Sequence, residues 1–289
     1  MQEFDYYAPQ TFTELLNVLG DTGGRVLAGG TDIVPRLRRN MFPWSVLVDA
    51  SHIKELSFIS EKQQTIEIGA LTTHEQMVRS PLLQKNASLL LEAVWRISSP
   101  QLRARGTLGG NIANASPAGD TIPALFAYEA DLRLVSNRGE RIIPIDDFFT
   151  GPGATRLEAG EMIYSVFFTP PSGSYGSAFR NMGRRRGLAI SVVNTAALLI
   201  GDDSGRISYA RVALGSVAPT VVRCPNVEGA IIGKKCTNAI LKDASGEVYK
   251  NIKPIADVRA TAEYRLQASA VLVYRALEAS LAMMNGDKK

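Results

Sequence analysis

Histidine and cysteine are scarce, with two of each in 289 residues. His52 and His74 have no acid and nucleophile arranged with them in a recognisable set, so Ser-His-Asp and Cys-His hydrolase chemistry is not expected. Both histidines are read as structural or exposed. Cys224 and Cys236 have eleven residues between them, not the spacing of about two to four that zinc and iron–sulfur ligands use, and two thiols build no disulfide framework. They are read as ordinary buried thiols, with no metal on this chain. No apolar run approaches the ~20 residues that cross a bilayer. The opening Met1-Gln2-Glu3-Phe4-Asp5 lacks the basic-then-apolar order of a signal peptide. A cytoplasmic protein with no membrane partner is expected. Charge of one sign is also lacking: 32 basic residues face 28 acidic ones, a net +4. The basic residues are scattered except at Arg184, Arg185 and Arg186, which disfavours nucleic acid as a partner. Neither G-x-G-x-x-G nor G-x-x-x-x-G-K-[ST] occurs, so a Rossmann domain and a P-loop are disfavoured.

Hydrophobic residues make up 45% of the chain and charged residues 21%, enough for a packed core in two domains of ~100 to 200 residues each. Helical spacing behind Thr11 predicts a helix over 11–19. A strand at 25–28, a helix from Thr31 to Asn40 and a strand at 46–49 would form a small βαβ-like unit. A hairpin is expected over 56–69, helices over 73–79, 82–97 and 121–128, and a second hairpin over 131–145. After a strand at 162–168, Pro170-Pro171-Ser172-Gly173-Ser174 marks the domain boundary. This divides the chain into 1–174, with parts at about 1–55 and 56–174, and 175–289. The second domain reads as three strands (177–184, 191–201, 206–216) followed by helices over 238–251 and 260–285. Strands gathered first and helices afterwards indicate an α+β layer with an antiparallel sheet.

The chemistry is concentrated in two glycine loops. One is Ala28-Gly29-Gly30-Thr31-Asp32, and the other runs from Gly106-Thr107-Leu108-Gly109-Gly110-Asn111 to Asn114-Ala115-Ser116-Pro117-Ala118-Gly119-Asp120. Missing β-carbons let backbone N–H groups approach an anion closely. A pyrophosphate is the natural guest, held by turn amides and by a helix N-terminus that Thr31 would cap, without any lysine. Asp120 is suited to accept from ribose hydroxyls. Either loop alone reads as a tight turn; together they suggest a nucleotide cradle.

With these loops in place, nearly the whole sequence resembles the FAD-binding middle subunits of molybdenum hydroxylases, such as bacterial xanthine, carbon monoxide and nicotinate dehydrogenases. The resemblance runs in order through Phe4-Asp5-Tyr6-Tyr7-Ala8-Pro9, the first loop, Ile68-Gly69-Ala70-Leu71-Thr72-Thr73, Ser99-Pro100-Gln101-Leu102-Arg103 and the second loop. It continues through Glu158-Ala159-Gly160-Glu161-Met162-Ile163, Arg184 to Val193, and Ala213-Leu214-Gly215-Ser216-Val217-Ala218-Pro219-Thr220. It implies a two-part FAD domain of the vanillyl-alcohol-oxidase-like type and a smaller α+β domain closing over the flavin. By position, Val26, Leu27, Ala28, Gly29, Gly30, Thr31, Asp32 and Ile33 would line the pyrophosphate. Thr107, Gly110, Asn111 and Asn114 would continue the cradle, and Asp120 would bind the ribose region. Met162 or Ile163 would meet the polar edge of the ring through backbone, and Ile97 would lie near its face. Ala104 departs from the family, which often has Asn there. The inserted cysteine cluster of the corresponding 4-hydroxybenzoyl-CoA reductase subunit is missing, which argues against an extra four-iron cluster.

The resemblance further implies an electron-transfer role. A large partner subunit would carry the molybdenum cofactor, a small one two two-iron clusters, and FAD on this chain would pass electrons to NAD or another acceptor. Asp32 and the stretch Asn114–Asp120 look closer to the xanthine and nicotinate types than to the carbon monoxide type. A stand-alone FAD oxidoreductase of the same fold would need its own acid or base, and none stands out. A binding module with decayed loops is disfavoured by intact Gly29, Gly30, Gly109, Gly110, Asn111 and Asp120. The arginine cluster at 184–186 has two open readings, attraction of phosphates or an acidic partner, and a solvated strand end.

Overall fold

The computed structural model describes residues 3–41, 43–185 and 189–286. The chain opens with a three-stranded parallel sheet in which Val46–Asp49 lies between Asp5–Tyr7 and Arg25–Leu27. Thr11 caps the first helix, Phe12–Thr22, by accepting from the Glu14 N–H, and Gly23 ends it at φ 61°. Its Leu15 and Leu19 are buried against Val48, Ala50 and Ile53. The helix expected over 31–40 is shorter, Ile33–Arg38, and starts from Asp32 with no side-chain cap. Thr31 therefore does not cap it and belongs to the turn.

A five-stranded antiparallel sheet follows, in the order Ile59–Lys62, Thr65–Gly69, Met162–Phe168, Asp131–Ser136, Gly139–Pro144. The first hairpin turns at Gln63 and Gln64, both at positive φ (51° and 67°), the geometry a two-residue connection needs to match strand twist. Thr73 and Gln76 form a reciprocal capping box for the helix His74–Arg79. The single helix expected over 82–97 is two, Pro81–Asn86 and Ser88–Arg96, broken at Ala87 (φ −137°). Asn86 and Ser88 flank the break, and such side chains compete for local backbone groups.

The second antiparallel sheet comprises Tyr175–Gly183, Ser191–Gly201 and Ile207–Gly215, with a fourth strand of two residues, Val222–Arg223, on its edge. The central strand is buried on both faces. Ala196 and Leu198 join one core beside Leu90, Leu125 and Phe126 of the first half. Val193, Ala197 and Leu199 join a second core beneath the helix Ala262–Met284. The sheet is thus the middle layer between helices of both halves, the α+β arrangement expected. The helix Pro225–Ile231, absent from the sequence reading, begins on a proline that helices accept in their first turn. No helix among the described residues is long and apolar enough to cross a membrane.

Candidate functional site

The strand Arg25–Leu27 delivers the first glycine loop to the face of the second. A β-carbon at Gly29 would run into the carbonyl oxygen of Arg105, so glycine is what lets the loops touch. Gly30 turns at φ 73°. Arg36 ties the loops together by pairing with Asp32 at 2.8 Å and donating to Asn114 Oδ1 at 3.1 Å. Arg25 lies over the Trp44 ring at 4.7 Å and donates to the Ala113 carbonyl at 3.2 Å. Burial, then the nearby Arg36, lowers its pKa.

The second loop is sewn to the end of the strand Thr65–Gly69. Gly109 N–H donates to Ala70 O at 2.9 Å, Leu108 N–H to Thr72 O at 3.0 Å, and His74 N–H to Gly106 O at 2.9 Å. A β-carbon on Gly109 would stand 2.6 Å from that of Ala70, so this glycine serves packing. Thr107 caps the helix Leu108–Ala113, its Oγ1 accepting from Gly110 N–H at 3.1 Å. Asn111 Oδ1 accepts from Thr121 at 2.6 Å. Arg103, 6% exposed, donates to Ile97 O at 3.3 Å, fixing the turn that holds Ile97 and Ser98, the latter at φ 42°. The third wall is the segment ending in Met162 and Ile163. Glu161 there accepts two 2.7 Å hydrogen bonds from Arg141.

Together these walls enclose a cleft of about 620 Å³, inside the ~300–1,000 Å³ range of cofactor pockets. Val26, Ala28, Gly29, Gly30, Thr31, Asp32, Ile33, Ile97, Thr107, Gly110, Asn111, Asn114, Met162 and Ile163 all line it. Leu27 does not, because strand alternation turns its side chain toward Leu37 and Leu47. Ile190, of the second half, lines the cleft as well. Arg25 and Trp44 also line the cleft and were not singled out from sequence, and His74, read there as structural or exposed, is buried on the cleft wall. Nothing in the local pattern around them marks a face; only their places beside the Leu27–Asp32 loop and the Ile68–Thr73 motif do. Among the described residues no cluster of His, Cys, Asp or Glu could hold a metal. Cys224 is buried and Cys236 half-buried, both as free thiols.

Asp120 is placed elsewhere than expected. It is outside the cleft lining, 8% exposed, and Oδ1 accepts from Ser191 Oγ at 2.7 Å and Asn194 Nδ2 at 2.6 Å. The carboxylate is thus a seam between the second loop and the second sheet. Burial raises its pKa despite those two donors. Asp120→Ala should lower stability by about 1–3 kcal/mol, since two buried donors lose their acceptor. Asp120→Asn keeps an acceptor without a desolvated charge and should cost less. Because the folded pKa is raised, the wild type loses stability as pH rises from the unfolded value to the folded one, and the Asn variant should lack that slope. Urea titrations across pH check this; equal stability of the Ala variant and wild type would remove the seam.

The amides of a helix-leading glycine turn, a second glycine turn against it and a cleft of this size suit a dinucleotide with a ring at one end. The profile described as the FAD binding domain in molybdopterin dehydrogenase matches residues 2–171, and that of the CO dehydrogenase flavoprotein C-terminal domain matches residues 177–280. The chain belongs to the FAD-binding medium subunits of molybdenum hydroxylases. It is 32% identical to the carbon monoxide dehydrogenase medium chain of Hydrogenophaga pseudoflava, with 96% of this chain and 97% of that one covered. It is 31% identical to a putative xanthine dehydrogenase FAD-binding subunit of Escherichia coli, with 97% of each covered. The solved carbon monoxide dehydrogenase of H. pseudoflava lacking the Mo-pyranopterin moiety superposes with a TM-score of 0.93 at 32% identity, over 97% of this chain and 98% of that one. As a medium subunit, this chain is the FAD-bearing part of an oxidoreductase, and the molybdenum cofactor of such enzymes sits on another subunit.

Proposed function

We propose that this medium subunit relays electrons from two-iron clusters of a small subunit to NAD or another acceptor, while a large molybdenum subunit oxidises the substrate. Bound FAD supplies a carrier that exchanges electrons singly on one side and in pairs on the other. The observation that carries the reading is the apposition of Ala28–Asp32 and Gly106–Asn114 across one cleft, locked by Gly29 against Arg105. In it, Gly30, Thr31 and Asp32 would present turn amides to the pyrophosphate, and Thr107, Gly110, Asn111 and Asn114 would continue the cradle. Ile97 would pack on the ring face, and Met162 and Ile163 would offer backbone to its polar edge. Ile190 beside the cleft supports the division at 174, with 175–289 as the cover. Among candidate assemblies we favour the xanthine dehydrogenase type, on Asp32 and the Asn114–Asp120 stretch.

An absorbance spectrum of the purified chain, identification of the chromophore released by heat, and a pull-down from native extract test the proposal. Flavin bands from FAD with a molybdenum subunit and a two-iron subunit co-purifying are the expected result. A colourless chain that takes up no added FAD would refute it.

A further inference from the structure

Among the described residues, His74 alone lines the cleft with buried side-chain nitrogens that the protein leaves without a hydrogen bond. It is 3% exposed, and neither Nδ1 nor Nε2 has a hydrogen-bond partner. The residue is held firmly. Its N–H donates to Gly106 O, and Nδ1 stands 3.2 Å from where a β-carbon of Gly106 would be, so glycine there admits the ring. Buried polar groups are nearly always paired, and an orphan on the wall of a binding cleft points to a partner that arrives with the ligand. Burial and then the neighbouring Arg103 pull its pKa to about 4. At neutral pH the ring therefore carries one donor and one acceptor and no charge.

We propose that His74 is a cofactor-contacting residue, a neutral imidazole that hydrogen-bonds FAD on the Leu102–Gly106 side of the cleft. The inference rests on the reading of the cleft as the FAD site. The competing explanation is a buried water between His74, Arg103 and Glu75, whose Nε and Oε2 atoms are also without a hydrogen bond. The two differ in what FAD does to the ring. They also differ in what removing the ring does to the protein without FAD.

The chain has only two histidines, and His52 is exposed, so nitrogen NMR of the imidazoles resolves the question in the wild type. With FAD stripped from the full chain and then restored, the His74 nitrogens should shift and those of His52 should not. His74→Leu removes the orphan atoms, so the FAD-free variant should melt no lower than wild type, while its FAD dissociation constant rises about tenfold, as expected for one lost hydrogen bond. His74→Gln, which retains a donor and an acceptor, should recover much of the affinity. A wild type that takes up no FAD defeats the reading of the cleft. A wild type that binds FAD with His74 signals unmoved, or a Leu variant that binds equally well, overturns the role of His74 alone.

Discussion

Gly29→Ala should give a chain that still folds but no longer retains FAD. The added methyl meets the carbonyl oxygen and carbon of Arg105 and crowds the Gly106 nitrogen, all backbone atoms, so no rotamer change relieves it. The two loops must part, and the amides proposed to face one ligand across the cleft then no longer do so together. We expect the FAD dissociation constant to rise at least about a hundredfold, ~2.8 kcal/mol at tenfold per 1.4 kcal/mol. Gly110→Ala should be milder, because its β-carbon meets only the Thr107 hydroxyl, at 2.8 Å. Gly229→Ala is the control: it lies in a helix with open space around it, where alanine is favoured by about 1 kcal/mol. Flavin absorbance per chain after gel filtration, alongside circular dichroism, reads the series. A fully yellow, normally folded Gly29→Ala protein would disprove the role given to the loop contact.

That contrast between glycines shows what the sequence can and cannot express. Both glycine pairs are visible as pairs, and each loop does line the cleft. Their division of labour depends on what lies opposite: Arg105 backbone for Gly29, Ala70 for Gly109. Asp120 is a similar case. Its suitability as an acceptor is legible, but its partners Ser191 and Asn194 lie 71 and 74 residues away, and only the packing of the second sheet brings them near. His74 follows a legible motif, yet whether its ring faces solvent, core or cleft is set by the return of Gly106.

The fold was more legible than the site because regular elements write their periods locally. Strands such as Met162–Phe168 and Ser191–Gly201, and the hairpin about Gln63–Gln64, are where short apolar runs and turn chemistry put them. What escaped was short or depended on distant partners. Asp5–Tyr7 is three exposed residues that become a strand by pairing in parallel with Val46–Val48. Val222–Arg223 has only two residues in which to show a pattern. The break at Ala87 interrupts a stretch whose apolar spacing alone favours one helix.

Arg265→Ala should destabilise the second half by about 1–3 kcal/mol, the range for leaving buried carbonyls without their charged donor. Its side chain is 4% exposed. One guanidinium nitrogen donates to Val192 O at 2.8 Å and Ser216 O at 2.7 Å, the other to Asp257 Oδ1 at 2.7 Å. Truncation leaves two carbonyls at the end of the sheet without that donor and loosens the strand that starts with Ser191, the partner of Asp120. Burial works against ionised Asp257, but hydrogen bonds from the Arg259 backbone and from Arg265 and Arg259 outweigh it and hold its pKa below the usual range. A depressed carboxylate pKa stabilises the fold above the unfolded value, ~3.9, and that stability is lost as pH falls through the folded value. The variant should therefore be less stable at neutral pH and lose less on acidification. Arg265→Lys, which keeps the charge but not the forked geometry, should fall between. Denaturant midpoints at neutral and acid pH measure both effects. If the Ala variant matched wild type at neutral pH, this arginine would not be what fastens the C-terminal helix to the sheet beside the cleft.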